Sequence, residues 1–261
     1  MNLVASTAIV LATLSAPMPG QTPAPDTGCV QMADALQALM RNDARLRDWP
    51  QLARYRDANR ALQSPARDEA RVVFMGDSIT DIWQQPRFGG FFSRPQYVDR
   101  GISGQTTPQM LVRFRPDVID LSPAVVVILA GTNDIAGNTG PESDEDVERN
   151  LESMADLAHA RGIKVVLASI TPTSAYHTRS GDIPQTTRRP MARIRALNDW
   201  IRKYAASRGD VYLDYFSAMV DESGVMKASL TEDDLHPTAA GYAIMGPLAQ
   251  AAIERALHGT R

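Results

Sequence analysis

Arg71-Val-Val-Phe-Met-Gly-Asp-Ser-Ile-Thr80 is the stretch of the chain that decides its fold. The successive apolar residues Val72–Met75 predict a buried β-strand, and Gly-Asp-Ser carries the chain from that strand into a helix. A strand followed by a helix is the repeating step of a parallel α/β sheet. This step places the hydroxyl of Ser78 at the carboxyl edge of the sheet, where open α/β folds build their sites.

Strands and helices alternate from this point to the C-terminus. The predicted strands are Val72–Met75, Tyr97–Gly101, Val125–Ala130, Lys164–Ser169 and Val211–Asp214. The predicted helices are Pro108–Leu121, Asp144–Arg161, Arg188–Arg208 and Pro237–Leu257. Val125–Ala130 is apolar throughout, as expected for a central parallel strand covered on both faces. The pattern predicts an α/β protein with a five-stranded parallel sheet, helices on both faces and a flavodoxin-like strand order.

Composition excludes several classes of protein. The chain has 261 residues, 44% of them hydrophobic and 22% charged, which suits one large globular domain. A net charge of −3 without a dominant basic tract argues against a nucleic-acid partner. The chain contains no G-x-G-x-x-G and no Walker-type P-loop, which argues against a flavodoxin-like nucleotide binder.

The first 29 residues differ from the rest and predict a signal or leader followed by a Pro-rich linker. Residues 2–16 carry no charge and are rich in Leu, Val, Ala and Ile, and the Pro-rich residues 17–25 cannot continue a helix. The apolar stretch is short for a transmembrane helix and resembles the core of a secretory signal. We expect a secreted or periplasmic protein without an integral membrane segment. No Lys or Arg precedes the stretch, so a cytosolic protein with an N-terminal tail stays open.

Residues 30–65 have apolar side chains at helical spacing, interrupted at Asp48-Trp-Pro50, and Pro50 is expected to start the next helix. We expect a single domain over residues 30–261, with a helical extension at 30–68. Cys29 is the only cysteine, which excludes an intramolecular disulfide and a Cys metal cluster. No sequence pattern indicates the oligomeric state.

A serine nucleophile needs a base within hydrogen-bond reach. Of the four histidines, the three outside the last loop, His159, His177 and His258, fit solvent-exposed or helix-surface positions. His236 lies in the polar loop that opens the final helix, with Asp233 three residues upstream. One short turn can bring that carboxylate against the imidazole, where it would fix the tautomer and stabilise the imidazolium.

Two further loops offer donors for an oxyanion. Asn133 follows the central strand, and its side-chain NH₂ can donate. Gly104 follows the second strand, where a glycine lets the backbone N–H approach a substrate closely. With the N–H of Ser78 they make three donors. The polar loop at 176–187 is long enough to form a substrate wall, although a plain surface loop is an equal alternative.

Four motifs occur in order, each next to a strand end or the last helix: GDSI at 76–79, GISGQTT at 101–107, GTND at 131–134 and DDLHP at 233–237. Together they resemble the SGNH hydrolases, also called the GDSL esterase/lipase family, over about residues 70 to 255. The N-terminal residues around Trp49 and Tyr55, with Asp81-Ile-Trp83, are similar to members related to platelet-activating-factor acetylhydrolases and carbohydrate acetylesterases.

The resemblance implies a three-layer α/β/α sandwich and ester hydrolysis without metal or cofactor. It also implies that Ser78 attacks, that His236 is the base oriented by Asp233, and that Gly104 and Asn133 bind the oxyanion. Asp234 fills a position that is often Gly in the family. It is therefore a second candidate for the orienting acid, although the spacing favours Asp233, and we expect it to be exposed or to cap the final helix.

We therefore predict a serine esterase that hydrolyses short-chain acyl esters, acetyl esters of carbohydrates in particular, through an acyl-enzyme. A lysophospholipase or thioesterase for longer acyl chains is the alternative enzyme. A non-catalytic carbohydrate-binding module on the same fold is the alternative of another class. The aromatic residues that follow the nucleophile fit either a sugar platform or acyl pocket, or ordinary core packing. They are Trp83, Phe88, Phe91, Phe92 and Tyr97.

Overall fold

The computed structural model of the protein describes residues 31–37, 40, 46–66 and 70–259. The predicted leader and linker at 1–29 lie outside the described residues. Residues 31–37 are helical, in agreement with the apolar spacing there. From Asp48 to Arg261 the chain forms one compact unit. In the described ranges, no helix combines the length and the apolar character needed to cross a bilayer.

Five parallel strands form the sheet of this unit, in the order β2-β1-β3-β4-β5. The strands are β1 Val72–Gly76, β2 Tyr97–Gly101, β3 Val125–Leu129, β4 Lys164–Ala168 and β5 Val211–Leu213. Val72 of β1 pairs with Tyr97 on one side and with Val125 on the other, so the three strands end level with one another. This confirms the flavodoxin-like order and brings the loops after β1, β2 and β3 to one edge of the sheet.

Helices cover both faces of the sheet, which confirms the α/β/α sandwich. The α-helices of this unit are α1 Arg56–Ala61, α2 Ser78–Asp81, α3 Thr107–Asp117, α4 Thr132–Ile135, α5 Asp144–His159, α6 Gln185–Arg188, α7 Met191–Arg208, α8 Phe216–Met219 and α9 Ala239–His258. Short 3₁₀ helices lie at Ile82–Gln84, Pro86–Phe88, Phe91–Ser93, Ile119–Leu121 and Ala228–Leu230.

Alternate residues of each strand face opposite layers. Val73 and Val126 point into the core that α3, α5 and α7 share, whereas Val72 and Val125 point into the core under α9. Because successive side chains of a strand point to opposite faces, a strand buried on both sides has to be apolar at every position. The continuous apolar runs in the sequence have this physical cause.

The segment before β1 differs from the prediction. Pro50 does not start a helix: residues 48–50 and 52–55 form turns, and only α1 is helical there. The Asp48 side chain accepts hydrogen bonds from the N–H groups of Leu52 and Ala53 at 2.8 and 2.9 Å, and Gln51 has a φ of 56°. A side chain that bonds nearby backbone groups stabilises a turn in place of the first helical turn.

The aromatic residues that follow Ser78 form a packed cluster beside β1. Trp83 is buried and stacks on Phe91 and on Tyr242, with centroids 4.4 and 5.1 Å apart. Phe74 of β1 contacts the rings of Trp83 and Phe91 edge-on. Of the two interpretations that the sequence left open, core packing is therefore the one that applies to most of this cluster.

Candidate active site

Ser78 lies where β1 ends and α2 begins, at the carboxyl edge of the sheet. Asp77 is the N-cap residue, and its side chain accepts the N–H of Ile79 at 2.9 Å. The other carboxylate oxygen of Asp77 is buried without a partner, and burial raises the pKa of this carboxyl to about 6. This cap turns the chain sharply and leaves 8% of Ser78 exposed, at the floor of a cleft.

His236 stands between Ser78 and Asp233. The Ser78 Oγ and the His236 Nε2 are 2.9 Å apart, and the His236 Nδ1 and an Asp233 carboxylate oxygen are 2.6 Å apart. A carboxylate can only accept, so Nδ1 carries a proton, which leaves Nε2 of the neutral ring free to accept the serine O–H. Ser78 and His236 are 158 positions apart in the sequence, and the fold brings them with Asp233 into one hydrogen-bonded chain of three groups.

The carboxylate of Asp233 is held in its charged form. Burial by itself would raise the pKa of Asp233, but hydrogen bonds from the ring and the backbone N–H of His236 hold it well below its usual range. The backbone N–H groups of His236 and Leu235 donate to one carboxylate oxygen at 2.7 and 3.1 Å. The second oxygen is thereby aimed at the imidazole, and the side chain is orientated before any substrate arrives.

Gly104 has a φ of 82°, in the left-handed region that favours glycine. Its carbonyl accepts from the Asn138 side chain at 3.1 Å. The preceding Ser103 is bound to Asp81, whose carboxylate accepts both its N–H and its hydroxyl at 3.1 and 2.6 Å. The loop after β2 is therefore fastened on both sides of Gly104 beside the cleft.

Asn133 is the second residue of α4, directly beyond β3. The chain enters this helix through Gly131 at a φ of 115°, where a Cβ would lie 2.7 Å from Ile170. The Asn133 side chain is 3% exposed, donates from Nδ2 to the carbonyl of Gln105 at 3.0 Å and accepts from Arg189 at 3.2 Å. An amide nitrogen has two hydrogens, so one N–H of Nδ2 remains beside the cleft.

The five predicted site residues line one cleft of about 940 Å³. They are Ser78, Gly104, Asn133, Asp233 and His236. The cleft is also lined by Arg87 and Phe88, by the first and last residues of α6 (Gln185 and Arg188) and by the following Arg189. The C-terminal end of the long loop at 176–187 thus reaches the cleft. The structure brings together the five residues to which the sequence analysis gave a catalytic or oxyanion role, whereas those roles stay a prediction.

Asp234 is neither exposed nor a helix cap, so that expectation is wrong. It is 1% exposed with a φ of 68°, and Thr238 is the N-cap of α9. Its carboxylate accepts from Ser174 Oγ at 2.6 Å, from the His177 N–H at 3.0 Å and from Thr178 Oγ1 at 2.9 Å. Asp234 therefore ties the loop after β4 to the loop of Asp233 and His236, whereas the imidazole of His236 is bound by Asp233.

Two residues of the site carry no signal in the sequence. Arg189 is 4% exposed although an arginine in a polar loop predicts a surface residue. Gln105 is fully buried, and its side chain accepts from Arg113, a completely buried arginine of α3. Only the convergence of separate loops gives these polar side chains their partners. In the described part of the chain, no group of three or more His, Cys, Asp or Glu residues is arranged to hold a metal ion.

Known proteins are similar to this chain in sequence and in fold. The model of the GDSL-like Lipase/Acylhydrolase family matches residues 74–244. A GDSL-like lipase from Bacteroides thetaiotaomicron VPI-5482 is 44% identical, with a TM-score of 0.70, over 80% of this chain and 99% of that one. An acetyl-xylooligosaccharide esterase from Geobacillus has a TM-score of 0.58 over 77% of this chain and 100% of that one, and its 19% identity shows the fold alone.

The lipoprotein YqeF of Bacillus subtilis (strain 168), itself uncharacterized, is 35% identical over 78 residues. These residues are 29% of this chain, and the chain spans only 32% of that relative's length. The family model, in contrast, covers more than half of the chain and includes Ser78, Gly104, Asn133, Asp233 and His236. The chain therefore belongs to the GDSL-like lipase/acylhydrolase family of carboxylic ester hydrolases.

Proposed function

We propose that the protein is a serine esterase in which Ser78 is the nucleophile, His236 the general base and Asp233 the residue that orients it. The observation that carries the proposal is the hydrogen-bonded chain from the Ser78 hydroxyl through the imidazole to the Asp233 carboxylate, at 2.9 and 2.6 Å, on the floor of an open cleft. Those are the contacts that an activated serine needs.

The first half of the reaction forms an acyl-enzyme. The Ser78 oxygen attacks the ester carbonyl carbon while its proton passes to Nε2 of His236, and the carbonyl oxygen becomes an oxyanion. The backbone N–H groups of Ser78 and Gly104 and the remaining N–H of Asn133 donate to that oxygen. The intermediate then collapses, the ester C–O bond breaks, and the imidazolium returns the proton to the departing alcohol.

The second half releases the acid. A water molecule takes the place of the alcohol, gives one proton to His236 and attacks the acyl carbon of the acyl-enzyme. The same three donors receive the second oxyanion. Collapse breaks the bond to Ser78, the imidazolium reprotonates its oxygen, and a carboxylic acid leaves.

The substrate that the cleft fits best has a short acyl group and a hydrophilic alcohol, as in an acetylated carbohydrate. Most of the lining residues are polar or charged. The aromatic cluster is packed in the core, with only Phe88 at the cleft, so it forms no long acyl channel there. The apolar lining residues are Ile82, Phe88, Leu235, Pro237 and Ala239. The resemblance to carbohydrate acetylesterases around Trp49 and Tyr55 agrees with this substrate class.

We also propose that the protein acts outside the cytoplasm. The uncharged apolar stretch at 2–16 supports export, and the similar chain YqeF carries the name of a lipoprotein. Cell fractionation, followed by mass spectrometry of the N-terminal peptide, tests this proposal. A cytosolic protein that still begins at Met1 would contradict it.

Covalent labelling is the direct test of the reaction. A fluorophosphonate probe is expected to label the wild-type protein and to leave Ser78→Ala unlabelled, and the same variant should lose turnover of nitrophenyl acetate. An unlabelled wild-type protein that binds oligosaccharides would indicate a non-catalytic binding module instead.

Chain length separates the two enzymatic candidates. Across nitrophenyl esters from acetate to palmitate, we expect kcat/KM to be highest for acetate and to fall as the acyl chain lengthens, and acetylated oligosaccharides to be turned over. A maximum at long acyl chains, with turnover of lysophospholipids, would assign the alternative.

A further inference from the structure

Arg189 is a buried cation without a carboxylate partner. It is 4% exposed, and no ion pair between described residues includes it. Burial, followed by the neighbouring Arg188, lowers the pKa of Arg189, yet a guanidinium stays protonated in proteins. The carboxylates of Asp77 and Asp233 favour its charged form from beyond ion-pair distance. A buried charge without a directly paired carboxylate is costly, so the contacts that Arg189 does make need an explanation.

The partners of Arg189 are neutral oxygens beside the cleft. Its Nε donates to the carbonyl and the hydroxyl of Thr132 at 3.0 and 3.1 Å, and one terminal nitrogen donates to Asn133 Oδ1 at 3.2 Å. The other terminal nitrogen donates to the Gln185 side chain. The planar guanidinium thus bridges two consecutive residues at the start of α4, a geometry that a lysine ammonium cannot reproduce.

This contact, together with the Gln105 carbonyl, fixes which way the Asn133 amide points. The two ends of an asparagine amide have nearly the same shape, so only their hydrogen-bond partners distinguish them. Arginine has donors only, so the amide atom that faces Arg189 has to be the oxygen. The nitrogen therefore faces the Gln105 carbonyl and the cleft, where one N–H bonds Gln105 and the second remains for a ligand.

We propose that Arg189 is the positioning residue of the oxyanion site: it fixes the Asn133 amide with its N–H toward the cleft and polarises that N–H through the bond to its oxygen. The inference rests on the proposed function. Arg189 acts through Asn133, so its loss has to resemble the loss of one oxyanion donor.

A double-mutant cycle tests the proposal. Arg189→Met is expected to lower kcat for nitrophenyl acetate by about 10²-fold, with KM within about twofold, because an oxyanion donor acts on the transition state. In an Asn133→Ala background the same substitution should change kcat by less than about threefold, since the amide it positions is gone. Fully multiplicative effects, or an unchanged kcat in Arg189→Met, would overturn the proposal.

Two further variants control for folding and charge. Arg189→Lys keeps the charge but cannot bind Thr132 and Asn133 together, so kcat should fall by about tenfold or more. Wild-type turnover in this variant would also overturn the proposal. Arg202→Met removes an exposed arginine of α7 that pairs with Asp199 and should leave kcat unchanged. Thermal unfolding of each variant identifies any that does not fold.

An NMR measurement that does not depend on ester hydrolysis tests the positioning of Asn133 separately from the proposed function. The side-chain NH₂ signals of Asn133 in a ¹⁵N-labelled protein, assigned by their loss in Asn133→Ala, should shift in Arg189→Met and stay in place in Arg202→Met. Signals that do not move would refute the positioning role. If the wild-type protein hydrolyses no ester but these signals move, the proposed function fails while the positioning of the amide stands.

Discussion

Replacing Asp234 by Gly has two opposite effects on the stability of the fold: it relieves backbone strain and it removes hydrogen bonds. The residue has a φ of 68°, a conformation that glycine adopts freely and that costs other L-residues about 1–2 kcal/mol, less for Asp. Glycine therefore relieves strain in the backbone. It also removes the carboxylate that binds the loop of Ser174, His177 and Thr178.

The structure indicates that the lost contacts outweigh the relief. Ser174 is fully buried, and leaving its hydroxyl without an acceptor costs about 1–3 kcal/mol. His177 is exposed and Thr178 half-buried, so water replaces part of their bonds, at about 0.5–1.5 kcal/mol each. The relief of strain is largely cancelled by the greater freedom of glycine in the unfolded chain, about 0.4–1 kcal/mol. The expected net destabilisation is about 3 kcal/mol.

Thermal unfolding at neutral pH measures this balance. A loss of about 3 kcal/mol lowers the Tm of a domain of this size by about 6–12 °C. Asp234→Asn, which tolerates the left-handed conformation, should lose less than the glycine variant. Asp234→Ala, which loses the contacts and keeps the strain, should lose more. A glycine variant as stable as the wild type or more stable would refute the reasoning.

The pH dependence provides an internal control. Burial would raise the pKa of Asp234, but hydrogen bonds from Ser174, the His177 N–H and Thr178 hold it below its ordinary value of 3.8. A carboxyl with a lowered pKa contributes stability above its ordinary pKa and loses it as the pH falls through the folded value. The difference in Tm between wild type and Asp234→Gly should therefore be full at pH 7 and shrink below about pH 4.

Three further predictions concern the cleft and its surroundings. Asp233→Asn should lower kcat by about 10⁴-fold because the amide no longer selects the productive tautomer of His236, and a larger loss in Asp234→Asn would mean that the orienting acid was misassigned. Gly104→Ala should reduce kcat and lower the free energy of unfolding by about 1–2 kcal/mol. The cause is the positive φ and not a clash, since the nearest atom to an added Cβ is 3.9 Å away. An unchanged Tm would contradict this. Burial and the Asp134 carboxylate raise the pKa of Glu142 to about 7. The contribution of Glu142 to the free energy of unfolding is therefore complete below about pH 4.5 and is lost as the pH rises through 7. Glu142→Gln should flatten the fall in Tm between pH 5 and 8, and parallel curves for the two proteins would count against it.

The architecture was predictable from the sequence because its cause is local. A strand buried on both faces has to be apolar at successive positions, so Val125–Leu129 is recognisable without any knowledge of its neighbours. Gly-Asp-Ser after such a run predicts the turn that holds Ser78, since the cap requires only residues adjacent in the chain. The turns before α1 were not predicted, because the apolar spacing there favours a helix. The Asp48 side chain competes with that helix by bonding the backbone N–H groups that follow it.

The sequence by itself determined the layered fold and the identity of the five cleft residues, because periodicity and short motifs are properties of adjacent positions. Only the tertiary structure decided that Asp234 joins two loops and that Arg189 donates to the Asn133 amide. These contacts join residues 56 and 60 positions apart. No local pattern in the sequence indicates which residues so far apart will be in contact. The hydrogen-bond partners of a buried charge are set only when separate loops pack together in the folded protein.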